Sequence, residues 1–273
     1  MTADTAGGAR TPIISVRDVS VAYGARHVLH GVSLDVCRGE IVALVGGSGS
    51  GKTTLLRQVL GLARPDSGSI VVGGVDLTSC SEADLALVRR KIGVAFQESA
   101  LFSSLTVEEN AALPLQELTG LAESTVALMV WMKLKAVGLA EARSLYPREL
   151  SGGMKKRAAI ARAIALDPDI VVLDEPSAGL DPIIAAGLDE LILFLKQGFG
   201  MTVLVVTHAL ESAFRIADRI AMIHQGSLIA VGTPAEFKAN AHPRVRQFVG
   251  GQPERMSDDA QGFAASFLKE FHA

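Results

Sequence analysis

The chain has 273 residues, of which 49% are hydrophobic, with a mean hydropathy of +0.33 and a formal net charge of −3. That length accommodates one large domain with a sizeable core, or such a domain carrying a small insertion. The slightly acidic balance, with a pI near 6.1, lacks the clearly basic domain or face of a nucleic-acid binder, so no nucleic-acid partner is expected and any phosphate contact is local.

Met1 to Thr11 is polar and has no apolar segment of the kind a signal peptide carries. The longest glycine-free apolar run, Val126 to Met132, is far short of the roughly 20 residues that a membrane helix needs. Nothing here suggests export from the cytoplasm. Cys37 and Cys80 stand apart, form no C-x-x-C pair, and read as reduced thiols.

Short β-branched runs, Ile13 to Val16, Val32 to Val36 and Ile41 to Val45, are separated by the turn signals Gly24, Gly31 and Gly39 and predict strands. The third leads into Gly46-Gly47-Ser48-Gly49-Ser50-Gly51-Lys52-Thr53, which fits the P-loop pattern G-x-x-x-x-G-K-[ST]. Side chains would block a phosphate from the backbone, so glycines are what allow successive N–H groups to wrap it. Lys52 then reaches the β- and γ-phosphates, the Thr53 hydroxyl can ligate Mg²⁺, and Thr54 stands beside it in the first turn. The plain alternative, a glycine-rich surface turn, does not explain the change to helical spacing at Leu55, Leu56, Val59, Leu60 and Leu62. A helix N-terminus would therefore add its positive end to the cradle.

From about Ser99 to Glu149 the pattern is mainly helical. Ile170 to Leu173 and Thr202 to Val206 then read as buried parallel strands. Alternating strands and helices predict an α/β fold: a parallel sheet covered on both faces, a small antiparallel sheet at the start and a helical insertion in the middle. Asp174 falls at the C-terminal end of its strand, where open α/β sheets bind ligands, and suits Mg²⁺. Glu175, next to it, is placed to act as general base for an attacking water.

Leu150-Ser151-Gly152-Gly153-Met154 precedes the helix-forming run Lys155 to Leu166. Ser151 is a good cap, and a serine with two glycines at a helix start makes an anion site. This segment resembles the signature motif of ABC ATPases, and the resemblance extends from residue 13 to about 240. It implies a P-loop ATPase core with an N-terminal antiparallel β subdomain and an inserted helical subdomain. It also implies ATP and Mg²⁺ as cofactors and a homodimer in which Ser151, Gly152 and Gly153 act in trans on the opposite subunit's γ-phosphate. By position Tyr23 resembles the aromatic that stacks on adenine, Gln97 the residue linking Mg²⁺ to the transmembrane partner, and His208 the γ-phosphate contact. Asp181, in Ser177-Ala178-Gly179-Leu180-Asp181, resembles the loop that crosses the dimer interface. The expected catalytic residues are Glu175, His208 and Lys52, and the expected metal ligands Thr53, Gln97 and Asp174. Met154 departs from the Gln that most members carry at the fifth signature position, and Met cannot make the amide's hydrogen bonds.

The Met-containing signature, Phe96 to Phe102 and Arg244-Val245-Arg246-Gln247-Phe248 together look like the ATPase subunit of Mla-type, lipid-asymmetry transporters. That implies phospholipid transport, with the chain peripheral on the cytoplasmic face of the inner membrane. It also implies an integral membrane permease, a periplasmic lipid-binding protein and a small cytoplasmic regulatory subunit. An ABC ATPase serving another solute is the alternative. A DNA-repair or chromosome-organising ATPase would carry a long coiled coil and a basic face, which this chain lacks. A switch that hardly hydrolyses would lack the base supplied by Glu175. The domain reading is an ABC ATPase domain over 13–249, with the helical subdomain at about 99–158, and a C-terminal tail over 250–273. In the tail Phe263, Phe267 and Phe271 recur at helical spacing behind Ser257 and predict an interaction helix.

Overall fold

In the computed structural model, residues 11–252 are described; the helix predicted in the tail from Ser257 onward, with its three phenylalanines, lies outside them. Strands β1 (Pro12–Tyr23) and β2 (Arg26–Cys37) form an antiparallel hairpin that turns through Gly24 at φ 61°. Strands β4 (Ser67–Val72) and β5 (Val75–Asp76) complete a four-stranded sheet in the order β2-β1-β4-β5. One face of this small sheet is apolar: Val19, Leu29 and Val32 are fully buried.

The main sheet has six strands in the order β10-β9-β3-β8-β7-β6. Strands β3 (Ile41–Val45), β6 (Ile92–Ala95), β7 (Ile170–Asp174), β8 (Thr202–Val206) and β9 (Arg219–His224) run parallel, and β10 (Ser227–Gly232) is an antiparallel edge. Every residue of β3 and β8 is buried, as expected where both faces of a parallel sheet are covered. Alternate residues divide between two cores: Val42 and Leu44 pack with the antiparallel sheet and helix α1 (Lys52–Val59), while Ile41, Ala43 and Val45 pack on the other face.

Helix α2 (Glu82–Arg90) leads into β6, and the helical insertion follows: α3 (Val107–Leu118), α4 (Glu123–Ala136) and α5 (Gly152–Ala163). Helix α3 starts on a capping box between Thr106 and Glu109, which satisfies its first free amides. The helical pattern expected from Ser99 thus begins only at Val107. Ser99 and Ala100 adopt φ 61° and 47°, a left-handed conformation that no helix continues through. Helices α6 (Pro182–Phe199), α7 (Leu210–Ile216), α8 (Pro234–Lys238) and α9 (Pro243–Val249) complete the element order. Among the described residues no helix is long and apolar enough to cross a membrane.

Candidate active site

The loop between β3 and α1 is shaped by glycines that cannot be replaced. A Cβ on Gly46, at φ 151°, would lie 2.2 Å from the Ile223 carbonyl oxygen; on Gly51, at φ 109°, it would lie 2.7 Å from a Leu29 methyl. Both the backbone conformation and the space therefore require glycine. Gly51 is the N-cap of α1 and offers no side-chain hydrogen bond, so the first amides of the helix are left for an incoming anion. The Lys52 ammonium is folded onto this loop, donating to the carbonyls of Gly46 at 2.8 Å and Gly47 at 2.9 Å. Burial holds its pKa below the ordinary lysine value, against the opposing pull of Glu175 and Asp174.

Asp174 ends β7, beside β8 in the sheet. Its carboxyl is pushed above the ordinary range, first by burial and then by the neighbouring Glu175 carboxylate, with Lys52 and Lys156 pulling the other way. Glu175 follows at φ 48°, its amide donating to the Val206 carbonyl at 2.8 Å. Its Oε2 accepts from His208 Nδ1 at 2.9 Å, and from the His208 amide and Thr207 hydroxyl at 3.3 Å each. Carboxylate and imidazole are thus held as a unit, the first nearly buried at 12% side-chain exposure and the second open at 65%.

These groups meet in a cavity of about 460 Å³ lined by Ser48, Gly49, Lys52, Thr53, Gln97, Asp174, Glu175, Val206 and His208. Thr53, Gln97 and Asp174 supply hard oxygen donors to this lining, the donor type that suits Mg²⁺. No cluster of three or more His, Cys, Asp or Glu with metal-holding geometry occurs among the described residues. Mg²⁺ ordinarily completes its shell with water and phosphate rather than with an all-protein cage.

The other expected residues lie outside this cavity. Gly46, Gly47, Ser50, Gly51 and Thr54 form the loop and first turn around it, and Tyr23, half exposed, sits at the tip of the β1–β2 hairpin. Ser151 caps α5 by accepting the Met154 amide at 3.3 Å, as its residue type predicts. Asp181 caps α6, accepting from the amides of Ile183 and Ile184 at 3.0 and 3.1 Å. These two helix starts touch: a Cβ on Gly153 would fall 2.5 Å from an Ile184 methyl, and one on Gly152 3.4 Å from a Leu180 methyl. Ser151, Gly152 and Asp181 are exposed, and Ile183 is 82% exposed. Two residues that the motifs did not single out also reach the site, Thr207 beside Glu175 and Lys156 beneath it. Lys156 stands in the basic run Lys155-Lys156-Arg157, where nothing in the local pattern marks one of the three as turned inward.

Residues 29–178 match the family described as ABC transporter. The chain belongs to that family. This ABC protein is 44% identical over 239 residues to the intermembrane phospholipid transport system ATP-binding protein MlaF of Escherichia coli K12, covering 88% of this chain and 89% of that one. It is 38% identical over 259 residues to a probable ribonucleotide transport ATP-binding protein, mkl, of Mycobacterium leprae, covering 93% and 75%. Among solved structures, the dimeric post-hydrolysis ATP-binding cassette MJ0796 bound to ADP and Pi superposes with a TM-score of 0.75 at 30% identity, over 81% of this chain and 98% of that one. As an ABC ATPase, the chain is the ATP-hydrolysing subunit of a transporter, and its α/β cassette has the architecture of those structures.

Proposed function

We propose that this chain energises phospholipid movement across the cell envelope, working as a homodimer bound to an integral permease on the cytoplasmic face of the inner membrane. The observation that carries the ATPase part of the reading is the cavity lined by Lys52, Thr53, Gln97, Asp174 and the Glu175–His208 pair. The loop amides and Lys52 bind the phosphates of ATP, with Ser48, Gly49 and Ser50 in the loop and Thr54 behind it. Thr53, Gln97 and Asp174 would hold Mg²⁺, which when bound would neutralise charge on the transferred phosphate. Glu175 accepts the proton of the attacking water, and His208 keeps the carboxylate aimed at it while facing the γ-phosphate. Tyr23, at the hairpin tip, stacks on adenine.

The exposed face made by Ser151, Gly152 and Asp181 supports a shared site. It lies outside the chain's own phosphate cavity, so with Gly153 it serves the partner's γ-phosphate, while Asp181 crosses the interface. The likeness to MlaF, whose name states phospholipid transport, supports that cargo and the accompanying periplasmic lipid-binding protein and small cytoplasmic regulatory subunit. The likeness to mkl favours ribonucleotide as a second reading. Residues 13–249 are read as the ATPase domain, with the helical subdomain at about 99–158, and 250–273 as an interaction tail.

The test is Glu175→Gln, assayed in the complex reconstituted with its permease. Turnover should fall by roughly 10²- to 10⁴-fold while ATP binding survives. The parent complex should move labelled phospholipid, and not ribonucleotide, in an ATP-dependent way. Near-normal turnover of the variant would refute the base assignment, and ATP-driven ribonucleotide uptake would refute the cargo.

A further inference from the structure

Helix α5 (Gly152–Ala163) reaches the site at a second position, one turn beyond its start. Its start presents Ser151 outward, whereas the Lys156 side chain turns inward and donates from one ammonium to two backbone carbonyls, that of Gln97 and, at 3.0 Å, that of Glu175. Gln97 and Glu175 both line the phosphate cavity. Glu175 holds an unusual backbone conformation for a residue with a side chain, φ 48°, and besides Lys156 its carbonyl accepts the Ala178 amide at 3.2 Å. The loop after Gln97 is gripped from the same helix: Arg162 donates to the carbonyls of Ser99 and Ala100 at 3.0 and 2.7 Å.

We propose that Lys156 is a positioning residue for ATP hydrolysis, bridging the loop that carries Gln97 to the left-handed backbone of Glu175 and so fixing where the Glu175 carboxylate points. This rests on the reading of Glu175 as general base. A bridge made of backbone carbonyls does not occupy the side chains of Gln97 and Glu175, so the first and the carboxylate held by His208 and Thr207 both still face the cavity. Losing it should leave ATP binding largely intact, because the phosphate cradle is built by residues 46–53, but should let the base drift, and small displacements of a catalytic group are costly.

The experiment uses the full dimer with Lys156→Met, Lys156→Arg and Glu175→Gln, and the Lys156→Met/Glu175→Gln double variant. Lys156→Met should lower kcat about tenfold or more with KM for ATP within about threefold, and Lys156→Arg, which keeps charge and donors, should recover most of the loss. In the Glu175→Gln background, Lys156→Met should reduce the residual single-turnover rate by less than about twofold, since a residue acting through Glu175 has little left to act on. Wild-type kcat in Lys156→Met, a change confined to KM, or an equal loss in both backgrounds would overturn the proposal. If Lys156→Met unfolds, an inactive but folded Lys156→Arg would overturn it equally. Failure of the underlying reading is separately visible, as turnover by Glu175→Gln alone.

Discussion

Asp174 carries a carboxyl that the fold makes harder to ionise, and this has a consequence for stability. Its folded pKa lies above its unfolded value, raised chiefly by burial, so the folded state holds the proton more tightly. The stabilisation from that proton is fully present below the unfolded pKa and is lost as pH rises through the folded pKa. Asp174→Asn should therefore melt higher than the parent at neutral pH in the absence of nucleotide, and should lack that part of the parent's pH dependence, while losing Mg²⁺-dependent ATP binding. Thermal melts from the acid range up to neutral pH check the first point, and a variant no more stable than the parent at neutral pH would contradict it. Gln58 is a second buried misfit: it is 1% exposed on α1, and among the described residues neither polar atom of its amide has a hydrogen-bond partner. Gln58→Leu should raise stability by about 1–3 kcal/mol in urea unfolding, without touching the phosphate loop. At this scale the site was readable where a motif is contiguous, as from Gly46 to Thr53, or where a carboxylate ends an apolar strand. Lys156 and Thr207 were not readable, because their importance comes from backbone carbonyls and a carboxylate brought to them by the fold.

Among the elements, the loop between β6 and α3 shows how an irregular segment is held in one shape. Asn110, fully buried on α3, accepts from the Phe102 amide at 2.8 Å, and its two amide N–H groups are shared among the carbonyls of Phe102, Leu105 and Thr106, which lie 3.1, 3.1 and 2.9 Å from Nδ2. Gln58 and Asn110 are both buried amides, one unpaired and one fully used, so their replacement by leucine should have opposite signs. Asn110→Leu should destabilise by about 2 kcal/mol or more, because it strands buried backbone groups, and hydrogen exchange should quicken in residues 97–106. Unchanged exchange there would mean that Arg162 and Lys156 alone hold the loop. Strands β3, β7 and β8 were legible as continuous apolar runs, since burial on both faces leaves no polar alternation. Strand β6 is only Ile92 to Ala95 and includes Gly93, and β9 dilutes its pattern with Ala221 and Met222. Their strand character is imposed by pairing with β7 and β3, which are distant in sequence, and tertiary context of that kind overrides local propensity.

For the whole molecule, the two halves of the proposed ATP site lie on different surfaces of one chain. The phosphate cavity is built from the C-terminal edge of the main sheet, whereas Ser151 and Asp181 head two helices that meet on an exposed face with Ile183 beside them. The order of motifs made this division readable in outline, but not the contact of Gly153 with Ile184 that joins the two helix starts into one face. If sites are shared, a chain with a damaged phosphate loop can complement a chain with a damaged signature. The most direct measurement isolates mixed dimers of Lys52→Ala and Ser151→Arg chains with two affinity tags, and compares their ATP turnover with that of each parent homodimer. The mixed dimer keeps one intact composite site and should hydrolyse ATP well above both parents. A mixed dimer that forms fully yet stays as inactive as they are would contradict the shared site.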